Sequence, residues 1–402
     1  MNAGSQDNTR ILVSFVRGAS RWIPPLAAWV RNRSQGCAAL ALESYRGGDL
    51  TLAETHYQEA LLWQPDDAEL HSALGQVYYE HSQPAEAEQQ FRKALDCNYG
   101  NLRALKGLGI LLQEQGGFSE AMYLYLRYLE LEPKDAPVCY NLGLVFHNLG
   151  NYEKANEYYE RAEKEDPEDL LTRKNRAIVL AALGRYEDAK AALARAREIA
   201  PEDAEVDHLL GIVLESLRET EAALECYKSA IRKDANDAIA HFRLGIVASA
   251  LGRQQEAAEH AKTAADLYRQ AGDNQAAAEA SGQLGWIHYL LGDWISSVQD
   301  STEALKLAPD LTAAYFNLGL ALLQLGRTDE ARKEYQVGIA RLDQASDLKV
   351  NVINDLREAL IKNPELPGAR EVLEMLETKY EAVSNELALS AQQSAQRGRQ
   401  TN

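Results

Sequence analysis

One small residue returns every 34 positions along this chain. Ala53, Ala87, Ala121, Ala155, Ala189, Ala223 and Ala257 keep that spacing without a break. Leu40, Leu74, Leu108, Leu142, Leu210 and Leu244 hold a second phase of the same period, with Arg176 in the missing slot. Gly75, Gly109, Gly143, Gly211 and Gly245 each follow one of those leucines, and Pro65, Pro133, Pro167 and Pro201 close four of the units. A period of this length means stacked supersecondary units. None buries its apolar face alone, and neighbours together make one continuous core.

Abundant Ala and Leu favour helix inside each period. The clearest unit runs from Val138 to Pro167, with Leu142-Gly143, Phe146, Gly150-Asn151-Tyr152, Ala155, Tyr159, Ala162 and Pro167. The Leu and the aromatic near Tyr159 fill the space between paired helices. The Gly and Ala slots mark close backbone approach, where a larger side chain overpacks. Gly-Asn or Gly-Asp turns the first helix into the second, and Pro ends the second. On these residues the chain resembles the tetratricopeptide repeat family, over about three quarters of its length. The resemblance implies an all-α, right-handed α-solenoid of helix–turn–helix repeats with terminal capping helices. Nine units start near Ser34, Ala68, Leu102, Ala136, Leu170, Ala204, Ala238, Ala278 and Thr312.

Two departures stand out. Ala257 to Ser297 is 40 residues, so six extra residues fall near 272–277. They are expected to lengthen the adjoining helices, as in the longer repeats similar to those of kinesin light chain. The other is Arg176, beside Arg173 and Lys174. Arg can lay its stem on apolar surface and offer its head to a carboxylate, in a structural or a binding role.

The organisation expected is a basic amphipathic segment over 1–33, a repeat array over 34–343, capping helices over 344–391 and a flexible tail over 392–402. Residues 1–33 carry five Arg against one Asp, while the whole chain has net charge −18. Ile11, Leu12, Phe15 and Val16 share a helical face edged by Arg10 and Arg17, which suits either a cap on the array or a surface-lying anchor. Arg17, Arg21 and Pro24-Pro25 break the apolar run too often for a membrane span. After Arg341 the phase fades. Asn351 to Asn363 reads as one helix, stopped by Pro364. Pro367 to about Ala391 reads as another, with Val372, Leu376, Tyr380, Val383 and Leu387 on one side. A cap or a short coiled coil fits it.

The acidic balance excludes nucleic-acid binding by the chain as a whole. Cys37, Cys97, Cys139 and Cys226 form no CxxC pair and have no His at zinc spacing, which suits a reducing, cytoplasmic compartment. No GxxxxGK[ST], HExxH or GxSxG occurs. Gly107-Leu108-Gly109 sits in a repeat helix rather than after a strand, so it is repeat architecture. Glu187 and Asp188 begin a second helix, where negative charge complements the helix dipole. His71, His241, Cys37 and Cys139 share the slot that often holds Trp in the family, and are expected to pack. No cofactor, metal or catalytic residue is indicated. The last 60 residues are too few and too helical for a separate catalytic domain.

In the family, first helices line a concave groove. Carried over residue by residue, its slots give two patches. The first holds Arg103, Lys106, Gln113, Tyr140, Asn141, His147, Lys174 and Asn175, polar and locally basic, suited to an acidic or extended peptide. The second holds Trp286, Tyr289, Leu290, Phe316, Leu320 and Leu323, aromatic anchors for a partner unless the C-terminal helices cover them. The clamp by which family co-chaperones grip a C-terminal carboxylate is absent: Lys106 and Asn141 fit, but Ile110 and Leu171 replace its Asn and Lys. The resemblance implies a non-enzymatic protein-binding scaffold or assembly factor holding a partner polypeptide. The alternative is a peripheral membrane adaptor making contact through residues 10–31.

Overall fold

A computed structural model describes residues 13–21, 23–341 and 348–379. The chain divides into two compact units, residues 1–199 and 200–402. Each is a stack of helical hairpins, and no strand occurs among the described residues. In the first unit the hairpins are Pro24–Arg46 with Leu50–Trp63, Ala68–Glu80 with Pro84–Cys97, Leu102–Glu114 with Phe118–Leu131, Ala136–Asn148 with Tyr152–Glu165, and Leu170–Ala182 with Tyr186–Ile199. In the second they are Ala204–Ser216 with Thr220–Lys233, Ala238–Ala250 with Gln254–Gln270, Asn274–Leu291 with Trp294–Leu307, and Thr312–Gln324 with Thr328–Arg341. Leu348–Lys362 and a helix over 369–379 follow.

Helix starts repeat because their caps repeat. Asp67, Asn101, Asp135, Asp169, Asp203 and Asp237 stand 34 residues apart. Each accepts hydrogen bonds from backbone N–H groups of the first helix that follows it. The turn inside each hairpin needs a left-handed residue. Gly48, Gly116, Gly150, Gly184 and Gly252 supply it, but Ser82 (φ 58) and Arg218 (φ 61) hold the same slot in their units. A residue with a Cβ adopts that conformation at a cost of about 1–2 kcal/mol.

Within a hairpin the core is an aromatic ring laid on a glycine. Phe91 lies against Gly75, Tyr125 against Gly109, Tyr159 against Gly143, Tyr227 against Gly211 and Tyr335 against Gly319. All five rings are fully buried. Ala261 and Ser301 take the ring's place in the two hairpins from Ala238 to Leu307, and there the helices meet backbone to backbone. A Cβ on Gly245 would stand 3.3 Å from the Ala257 carbonyl oxygen. The extra residues lengthen two neighbouring helices, Gln254–Gln270 to 17 residues and Asn274–Leu291 to 18. Arg176 fills its leucine slot by pairing inward. Its guanidinium donates to Asn156 Oδ1 at 3.1 Å and to Glu163 Oε2 at 2.7 Å.

At one end, Val13 is buried and Arg17 Nη1 donates to the Leu62 carbonyl. Trp29 meets Trp63 edge-on at 5.3 Å. The Pro24–Arg46 helix runs unbroken through residues 33 and 34. Leu40 keeps its phase yet is 50 % exposed, because no described unit stacks on that side of it. At the other end, Val372 and Leu376 join a core with Val352, Ile353 and Leu356. Ile11, Leu12, Arg10, Tyr380, Val383 and Leu387 lie outside the described residues.

Two substitutions test this packing. A Cβ on Gly143 would lie 2.6 Å from the buried Tyr159 ring. The overpacking outweighs alanine's better helix propensity, so Gly143→Ala lowers the unfolding free energy by about 1–2 kcal/mol in denaturant titration. Arg218→Gly acts the other way. Relief of the left-handed backbone raises stability by about 0.5–1 kcal/mol, after glycine's greater unfolded-state freedom is deducted.

Candidate ligand face

First helices of successive hairpins are tied to one another by side chains 35 residues apart. The Tyr45 and Tyr79 hydroxyls donate to the carboxylates of Glu80 and Glu114. Asn175 Nδ2 donates to the Tyr140 hydroxyl at 3.1 Å, and Gln324 Nε2 to the Tyr289 hydroxyl at 3.2 Å. These bonds link neighbouring first helices within each compact unit.

The basic character expected of the first patch is neutralised from within. Lys106 Nζ sits 3.3 Å from both carboxylate oxygens of Asp135, the cap of the next hairpin. Arg103 Nη1 reaches Glu69 Oε2 and Ser72 Oγ of the preceding hairpin, at 3.5 and 3.4 Å. Lys174 is half-buried and engaged. Despite the desolvation that opposes it, Asp135 is held below the usual carboxylate range by bonds from Tyr128, Val138 and Lys106. His208 and Asp237 repeat this pairing in the second compact unit, at 3.2 Å. Of the remaining residues, Gln113 accepts from the Tyr125 hydroxyl at 3.2 Å, and the His147 ring stands 5.7 Å from Tyr152. Tyr140 packs 5.8 Å from Tyr159, and Asn141 is half-buried near the Tyr125 hydroxyl.

The second patch is partly covered. Trp286 and Tyr289 stack at 5.5 Å and are half-buried, and Leu290 is exposed. Phe316, Leu320 and Leu323 are buried in one core with Val352, Ile353 and Leu356 of the Leu348–Lys362 helix. They are therefore not open anchors. The last hairpin has no further unit to stack on its apolar face, and the next helix covers it.

Other first-helix side chains stand open. Leu171 is 50 % exposed, Ile239 44 % and Ile246 37 %. In the sequence Leu171 stands out only as the residue that breaks the carboxylate clamp, and Ile239 and Ile246 are not singled out, because an apolar residue on an apolar helix does not show which side its neighbour covers.

Family models described as tetratricopeptide repeat match residues 73–136, 208–272 and 283–346, and others so described match 146–212 and 124–155. A model described as TPR repeat matches 41–82. No curated protein matches. Among solved structures, YrrB, a TPR protein with an unusual peptide-binding site, is 22 % identical with a TM-score of 0.44, over 46 % of this chain and 95 % of its own. PilF from Pseudomonas aeruginosa is 22 % identical with a TM-score of 0.45, over 52 % of this chain and 96 % of its own. A tetratricopeptide repeat protein from Parabacteroides merdae is 18 % identical with a TM-score of 0.47, over 62 % and 99 %.

The histidine slot has a structural use. His71 Nδ1 meets Gln90 Oε1 at 2.8 Å and its Nε2 meets the Pro65 carbonyl at 2.8 Å. Five units on, His241 Nδ1 meets His260 Nδ1 at 2.9 Å. All four cysteines are free, and burial pushes the Cys37 and Cys139 thiols up, away from reactivity. Among the described residues no three His, Cys, Asp or Glu gather into a metal-holding set.

Burial, the largest cause, lowers both members of the His241–His260 pair, although Asp237 acts on His241, and Glu256 and Glu259 on His260, in the opposite sense. A histidine depressed in the folded state binds its proton more readily when unfolded. Its stability contribution is therefore complete above the unfolded range near pH 6.5 and is lost as pH falls through it. His260→Gln reproduces the His71–Gln90 pair and removes one titrating group. Melting followed from pH 7.5 to 5 is expected to fall less steeply in this variant than in the wild-type protein.

Proposed function

We propose that this chain, which belongs to the tetratricopeptide repeat family, is a non-enzymatic scaffold or assembly factor that holds a partner polypeptide on its first-helix face. The observations that carry this reading are the exposure of Leu171 beside the Asn175–Tyr140 bond in the first compact unit, and the exposure of Ile239 and Ile246 on a first helix of the second. Apolar side chains of a partner gain by burial there, and a rigid face loses little entropy on binding. With Arg103 and Lys106 paired to the chain's own acids, the face selects by apolar contact rather than by attraction of an acidic peptide. Four free thiols support the reading of work in a reducing compartment such as the cytoplasm.

A second reading rests on the first hairpin. Phe15, Ile23 and Trp29 are 76 %, 49 % and 50 % exposed, and Arg21, Arg31 and Arg33 of the same stretch of sequence are exposed too. Exposed apolar side chains interspersed with arginines suit an anionic membrane surface. No helix among the described residues is long and apolar enough to cross a membrane.

A benzophenone side chain placed at Leu171 or Ile246 is expected to crosslink a polypeptide in cells. The same group at Glu157 or Glu225, exposed on second helices, is expected to give none. Equal crosslinking from both faces, or crosslinking from the second helices alone, rejects the scaffold reading. The membrane reading expects co-sedimentation with phosphatidylserine vesicles that Phe15→Glu/Arg21→Glu abolishes; sedimentation unchanged in that variant removes it.

A further inference from the structure

A recess of ≈ 90 Å³ lies in the second compact unit, among the Thr312–Gln324, Thr328–Arg341 and Leu348–Lys362 helices. Phe316 and Tyr335 form part of its apolar wall, with rings 5.8 Å apart, and Asn317, Asn351 and Asp355 supply its polar groups. Asp355 is half-buried and has no hydrogen bond or ion pair with any described residue. The adjacent cation on its own helix, Arg357, turns instead to Glu377 at 2.6 Å. Asn317 donates its Nδ2 to the Gly282 carbonyl at 3.2 Å, which leaves its amide oxygen to accept. The recess therefore offers a carboxylate, an amide oxygen and aromatic faces, and its lining residues carry no positive charge.

A carboxylate withdrawn from water without a partner is costly. Burial first, and then Glu358 one turn along the helix, push the Asp355 carboxyl up to about 6. A cation brought into the recess would relieve both effects. Aromatic faces also attract cations. The small volume suits a compact ammonium, whose three donors can turn to scattered acceptors, better than the larger planar guanidinium.

We propose that this recess takes the ammonium group of a lysine side chain from the partner polypeptide, with Asp355 pairing with the charge and the Phe316 and Tyr335 rings lining the stem. The inference rests on the scaffold reading and gives that partner a chemistry. The net charge of −18 draws such a partner in.

The test titrates full-length protein with Nα-acetyl-lysine N-methylamide, using the norleucine analogue as a probe of nearly equal length without charge, and reads binding by saturation-transfer NMR. The lysine probe is expected to bind at least tenfold tighter than the norleucine probe. Asp355→Asn, which keeps the shape, is expected to remove that preference with the melting temperature unchanged or raised. Lysine-probe affinity for the wild-type protein is also expected to fall several-fold as pH drops through about 6. Glu358 on the same helix, and the Tyr289 and Tyr335 hydroxyls on the helices packed against it, are the other titrating groups facing Asp355. Equal binding of the two probes, or a preference that survives both Asp355→Asn and low pH, overturns the proposal. Crosslinking at Leu171 or Ile246 without probe binding sinks the ammonium site and leaves the scaffold. Probe binding without such crosslinking sinks the scaffold and leaves the site.

Discussion

The contact of a flat ring with a residue that has no side chain sets the spacing of these hairpins. Tyr159 on Gly143 is the pattern, and Phe91, Tyr125, Tyr227 and Tyr335 repeat it. The ring supplies the buried area, and the glycine lets the helix axes close around it. Where the ring is reduced to Ala261 or Ser301, packing passes from side chain to backbone. The interior there is less well served. Ser297 Oγ, Ser301 Oγ and both polar atoms of the Gln283 amide are buried without a hydrogen-bond partner. Buried polar atoms left unmatched weaken a core.

The cap carboxylates join the helix starts to the ligand face. Asp135 caps one hairpin and neutralises Lys106 of the hairpin before it, and Asp237 caps another and meets the His208 ring of the hairpin before that. One residue thus stops the backbone of one unit from fraying and sets the charge of the surface on another. A face built this way has little net field of its own. What it offers a partner is shape, apolar area and fixed amides.

The period of Ala, Leu and Gly was enough to place seven of the nine first-helix starts at the residue observed, from Ala68 to Ala238 and again at Thr312, because close approach and turn geometry tolerate few residue types. The six-residue excess was legible as longer helices for the same reason. The repeating Asp and Asn caps keep the same period in the sequence but are not singled out there. The state of the ligand face was not legible. Lys106 looks like a free cation until its partner 29 residues away is brought beside it. Phe316 and Leu320 look like anchors until the helix that starts at Leu348 is laid over them. Burial on this face depends on what the neighbouring unit or terminal helix brings, and no single unit records it.

The shared cap has a consequence for how such a chain changes length. A nitrogen-bearing side chain of one hairpin and the cap of the next stand at fixed slots, Lys106 with Asp135 and His208 with Asp237. Deleting or duplicating 34 residues brings an equivalent pair of slots together at the new seam. Deleting 33 sets a different residue at the helix start and puts the side chains on the two sides of the seam out of phase, while ring and glycine inside the untouched hairpins keep theirs. Growth and shortening by whole periods are therefore the changes of length that leave the joints intact where the 34-residue period is strict.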